Sequence, residues 1–145
     1  MNPLFTTTMH WAEVPAPPER VWAAITTTTE PSPAYFGLWV TSSWKVDEAI
    51  TLTSPLASTS TRGVVLTADR PVRLVHSLGM GDDASRHGVE CTTWITWELH
   101  ALAGGTLVTL SIDDLLPGDD DDADASGPAM LQGLVARFTG ELSHP

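Results

Sequence analysis

Cysteine, lysine and long apolar runs are what this chain of 145 residues has least of. The single cysteine, Cys91, excludes an internal disulfide framework and fits a reducing compartment, so a cytoplasmic location is expected. Basic residues are scarce: 7 Lys and Arg stand against 18 acids, for a net charge of −11. Nucleic acid and anionic membrane surfaces both require clustered Lys and Arg, so neither is expected as a partner. No apolar run approaches the length of a membrane span, and none is expected. The opening MNPLFTTTMH lacks the basic region and apolar core of a secretory signal. The five histidines, His10, His76, His87, His100 and His144, show no metal-ligand spacing, and Cys91 belongs to no cluster of ligands. No metal site and no cofactor are therefore expected.

What charge there is lies mostly in one place. Asp113, Asp114, Asp119, Asp120, Asp121, Asp122 and Asp124 fall within twelve residues. Setting these seven aside leaves 11 acids against 7 bases, a mildly acidic remainder. The Asp run fails as a calcium loop in either frame. Counted from Asp120, the position that needs glycine is Ala125 and the one that needs glutamate is Leu131; counted from Asp119 they are Asp124 and Met130. With its Ser, Gly and Pro neighbours, the stretch 113–127 reads as an acidic, mobile, solvated loop.

The length fits a single domain over 1–145. Thr, aromatic and branched residues over Leu4–Val14 suit a strand. Pro17, Pro18 and Glu19 then open a short helix, because proline tolerates the first turn and an acid favours the positive helix end. Val21, Trp22 and Ile25 recur at helical spacing, and four successive threonines end the element. Ala34–Trp39 is a short apolar segment long enough for one helical turn. Strands follow over Trp44–Thr53, Gly63–Ala68, Val72–Leu78, Val89–Leu102 and Thr106–Ile112. Turn chemistry separates them, Gly104–Gly105 being the strongest hairpin signal. From Pro128 a last helix places Leu131, Leu134, Val135, Phe138 and Leu142 on one stripe. The expectation is an α+β fold in which a curved antiparallel sheet of about six strands wraps a long C-terminal helix, with two short helices after the first strand. Such a sheet must cover one face, and the space between sheet and helix is a natural ligand cavity.

Strand parity sorts the chemistry-bearing side chains. Ile95, Trp97 and Leu99 form the more apolar face of their strand, so Trp97 should look toward the helix, with Trp94 and Glu98 on the outer face. His76 shares parity with Val72, Leu74 and Leu78 and should also point inward, as a polar anchor or a general base. Trp22 reads as core. Trp39 and Trp44 flank the short helical region, where an entrance to the cavity is expected. Cys91 has no basic neighbour to make a thiolate and reads as a small packing residue.

Several segments carry a resemblance. APPERVWAAIT at 16–26, YFGLWVTSSWKVDEAITL at 35–52, RGVVLTADRPVRLVHSL at 62–78 and TTWITWELHALAGGTLVTLSIDDL at 92–115 resemble blocks of proteins similar to the activator of heat-shock protein 90 ATPase. These lie within the START-like, birch-pollen-allergen-like (SRPBCC) superfamily. Asp47 stands where that family often has Gly, and Gly127–Pro128 where it usually has Gly-Trp. The resemblance implies the helix-grip fold and a binder of a hydrophobic small molecule: a lipid, an aromatic polyketide or another natural product. Its role would be that of a carrier or a self-resistance protein, and six arginines against one lysine hint at a GC-rich bacterial source. A polyketide cyclase-like enzyme with His76 as base, and a co-chaperone stimulating the heat-shock protein 90 ATPase, are the alternatives. Binding rather than catalysis is expected, by a monomer or homodimer. The expected ligand-contacting residues on the sheet and loop side are Phe36, Trp39, Trp44, His76, Trp97 and Leu110. On the helix side they are Leu131, Leu134, Val135 and Phe138.

Overall fold

The structure, a computed structural model, describes residues 6–54, 60–79, 92–114 and 120–143. Strand β1 (Thr6–Val14) leads to helix α1 (Pro18–Ile25) and a 3-10 turn (Pro33–Tyr35). Strands β2 (Trp39–Ser42), β3 (Ala49–Thr53), β4 (Ser60–Asp69), β5 (Arg73–Gly79), β6 (Thr92–Leu102) and β7 (Gly105–Asp114) follow, and helix α2 (Asp120–Ser143) closes the order. All neighbouring strands pair antiparallel in one seven-stranded sheet, in the order β1-β7-β6-β5-β4-β3-β2. The helix-grip α+β fold expected from the sequence is the fold observed.

The additional strand and its neighbour share one cause. Trp44–Thr53 reads as a single strand, but Trp44 and Asp47 sit at φ 60° and 72°, in the left-handed region. Such residues cannot continue a pleated strand. The chain therefore turns at 43–48, leaving β2 before the turn and β3 after it. Backbone hydrogen bonds from Asp47 to Val65 and from Val65 back to Glu48 hold that turn against β4.

Helix α1 starts with proline in its first turn and Glu19 beside it. It buries Val21, Trp22, Ala24 and Ile25, so Trp22 is core. It stops at Thr26, whose hydroxyl and amide both donate to the Trp22 carbonyl. The threonines that follow have low helix propensity.

The C-terminal helix differs from expectation at its start. It begins at Asp120 rather than Pro128, so the expected loop over 113–127 is helical from Asp120 onward, and its first two residues complete β7. Thr7 donates a hydrogen bond to the Asp113 carboxylate across the β1–β7 pair, which accounts for the longer strand. The Asp run occupies the first turns of α2, where the positive end of the helix dipole favours acids. Pro128 lies inside the helix, where it has no N–H for the carbonyl four residues back.

Sheet and helix meet over a core that includes Val14, Leu74, Trp97, Val108, Leu110 and Leu134. Helix α2 packs against β1, β7 and the 3-10 turn. Two glycines allow the close approach. A Cβ on Gly133 would stand 2.2 Å from the Pro33 carbonyl oxygen, and one on Gly127 would stand 2.1 Å from the His10 ring. No helix among the described residues is long and apolar enough to cross a membrane. Leu4, His87, Val89, Cys91, Asp119 and His144, all given expectations above, lie outside the described residues.

Candidate functional site

The β5–β6 register sets Leu74 opposite Trp97 and His76 opposite Ile95, so alternation drives His76 and Trp97 to the same inner face. Tyr35 reaches that face from the 3-10 turn. Phe36 and Gly37, at φ 60° and 76°, reverse the chain directly afterwards, so Tyr35 is buried while Phe36 is 55% exposed. The result is a polar line through the core. The Trp97 indole N–H donates to the Tyr35 oxygen at 2.9 Å, and Tyr35 Oη lies 2.7 Å from His76 Nε2. His76 Nδ1 lies 3.1 Å from the Ser77 carbonyl oxygen. One proton arrangement satisfies every member: Nδ1–H donates to Ser77, and Nε2 accepts the tyrosine hydroxyl.

Burial sets the electrostatics of this line. Loss of solvent lowers the His76 pKa to about 4, against a smaller opposing effect of the Ser77 carbonyl, so the ring is neutral near pH 7. Burial pushes the Tyr35 hydroxyl above its usual range, partly countered by the Trp97 N–H. His76 as a base would have to release Tyr35 and gain access to solvent, since its ring has no exposed surface.

The ten expected contact residues divide among three regions. His76, Trp97, Leu110 and Leu134 have no exposed surface, and Leu131 and Phe138 have nearly none. Trp97 and Leu110 face each other across β6 and β7. Phe36 and the 39% exposed Trp39 lie at the surface, while the half-buried Trp44 donates its indole N–H to the Thr26 carbonyl. Leu131 and Val135 belong to a third region, a groove on the outer flank of the sheet.

That groove runs between edge strand β1 and helix α2 and encloses about 590 Å³. From β1 it takes Met9, His10, Trp11 and Ala12; from α2 it takes Pro128, Leu131, Gln132, Val135, Ala136 and Thr139. The wall is mainly apolar, and none of these ten residues is Asp, Glu, Lys or Arg. Trp11 is 71% exposed and Met9 is also exposed. His10 presses its ring on Gly127, and its Nε2 is buried without a hydrogen-bond partner among the described residues. A smaller pocket of about 250 Å³ lies beyond the helix, where Arg20 stands 5.3 Å above the Phe138 ring and Arg137 pairs with Glu30 at 3.0 Å. Among the described residues no three His, Cys, Asp or Glu side chains converge on a metal-sized space.

Sequence reasoning missed Tyr35 and the β1 side of the groove. The hydrogen bonds from Tyr35 join residues 41 and 62 positions apart, which no local pattern encodes. The alternation Met9–Trp11 against His10–Ala12 was visible, but which edge of the sheet α2 would leave partly open was not.

The family model described as Activator of Hsp90 ATPase homolog 1-like protein matches residues 15–139. Solved structures share the fold. ChR145 from Cytophaga hutchinsonii is 22% identical, with a TM-score of 0.76 over 95% of this chain and 97% of that one. CalU16 from Micromonospora echinospora is 15% identical, with a TM-score of 0.71 over 94% and 78%. The Aha1 dimer from Colwellia psychrerythraea is 15% identical, with a TM-score of 0.71 over 92% and 96%. Among curated proteins none matches the sequence.

Proposed function

Because the chain belongs to the Activator of Hsp90 ATPase homolog 1-like family, within the START-like superfamily, we propose that it reversibly binds a hydrophobic small molecule, a lipid or an aromatic natural product, as a carrier or sequestering protein. The observation that carries this reading is the apolar groove between β1 and α2. Its volume falls within the range of small-molecule sites, roughly 300–1,000 Å³. Trp11 offers a large, rigid, exposed ring at its edge, suited to stacking on planar or apolar groups. The interior behind the sheet is filled by Trp97, Tyr35 and Leu134, so the groove, not the core, is the place a ligand would first enter. A cyclase using His76 is the weaker reading, since that ring is sealed and its Nε2 is engaged by Tyr35.

The test is a titration of the purified chain with a panel of lipids and aromatic polyketides, followed by tryptophan fluorescence. Saturable quenching is expected with at least one class, and Ala136→Trp, at an exposed helix position lining the groove, should abolish it without unfolding the protein. Silence across the panel would refute the binding role.

A further inference from the structure

We propose that the β1–α2 groove selects uncharged amphiphiles and rejects carboxylates carrying the same chain. The inference rests on the binding role proposed above and specifies its ligand class. Met9, Trp11 and Val135 supply the apolar surfaces for a chain or ring. The polar group available to a head group is the exposed Gln132 amide, while the Thr139 hydroxyl donates to the Val135 carbonyl. None of the lining residues carries a Lys or Arg charge. Nor, among the described residues, does the neighbourhood lend one. Arg137, next in sequence to Ala136, reaches 3.0 Å from Glu30, and Arg20 lies over the Phe138 ring. His10, the remaining basic candidate among the described residues, has Nε2 buried against Gly127 rather than open to the groove.

A carboxylate entering this space would lose water without meeting a cation, and burying an unpaired charge is strongly unfavourable. The surrounding field adds to that cost. The chain carries a net charge of −11, which disfavours a further anion at its surface. An alcohol, ester or amide of the same length meets neither obstacle and can hydrogen-bond to the Gln132 side chain.

The experiment uses the full chain with Nile red as a neutral probe, at pH 8 and below micelle-forming concentrations. Decanol, methyl decanoate and decanoate are compared as competitors. The alcohol and the ester should displace the probe at concentrations at least tenfold lower than decanoate. Gln132→Lys, at an exposed helix position, should improve the competition of decanoate relative to that of the ester at least fivefold. Equal or better competition by decanoate overturns the inference. So does probe binding that neither neutral compound displaces, although the binding role would then survive. Failure of the probe and all three compounds to bind overturns both. Concentration-dependent self-association that blocks the probe would overturn it in favour of a second copy as the occupant.

Discussion

Tyr35 and His76, 41 positions apart in sequence, meet 2.7 Å apart in the core, and each supplies what the other needs. The tyrosine must place a proton, and the neutral histidine offers Nε2 to receive it. Trp97 completes the line from the opposite side, its ring edge-on to Tyr35 at 75°. A buried polar chain of this kind is favourable only while every member is paired.

Tyr35→Phe keeps the ring and removes the hinge of that chain. The Trp97 N–H and His76 Nε2 would both lose their partner inside the core. A buried donor or acceptor left unpaired costs about 1–3 kcal/mol, so the expected destabilisation is about 2–3 kcal/mol. Urea unfolding measures it. A cost below about 0.5 kcal/mol would show that the line contributes little.

His76 makes stability depend on pH. Its folded pKa, about 4, lies below the unfolded value of 6.5, so the unfolded chain takes up the proton first. The sign follows: stability is full above pH 6.5 and is lost as pH falls toward 4. The contribution is on the order of 3 kcal/mol. His76→Gln should flatten the decline between pH 6.5 and 4 relative to the parent, whatever its effect at pH 7. Parallel curves for the two proteins would assign the decline to other groups.

Gly133 tests how closely α2 grips the 3-10 turn. Alanine is ordinarily better in a helix by about 1 kcal/mol. Here its Cβ would stand 2.2 Å from the Pro33 carbonyl oxygen, a backbone atom that cannot swing aside. Gly133→Ala should therefore lower the thermal midpoint. A raised midpoint would mean that helix and turn separate easily.

Trp11 separates binding from folding. With 71% of its surface exposed, Trp11→Ala should change stability by no more than about 0.5 kcal/mol. The same substitution should weaken binding of the groove ligand at least tenfold by fluorescence competition. Unchanged affinity would remove Trp11 from the site.

The parts of this structure that the sequence made legible are those written in short-range periodicity. Alternation placed Trp97 and His76 inward and Glu98 outward, where it lies 3.9 Å from Arg73. The helical stripe foretold the burial of Leu131, Leu134 and Phe138. Expectation failed where one residue's backbone overrode the pattern. Trp44 and Asp47 are ordinary strand residues until φ turns positive, and that shortened the expected strand Trp44–Thr53 to Ala49–Thr53. The start of α2 went unseen because Gly127–Pro128 reads as a helix boundary, whereas the Asp run before it adopts helix at the favourable end of the dipole. The groove was hidden for a different reason. It forms between elements at opposite ends of the chain, and its shape depends on how far α2 closes over β1.

The pairing of β1 with β7 also fixes an order of events at the ribosome. The partners, from Thr6 with Asp114 to Val14 with Thr106, are made roughly a hundred residues apart. At about 5–20 residues per second, β1 waits roughly 5–20 s for β7, its pairing partner among the described strands. During that interval Met9 and Trp11 travel on an unpaired N-terminal segment while the β2–β5 meander can already form. The strand that builds one wall of the groove is thus made long before the partner that puts it in place.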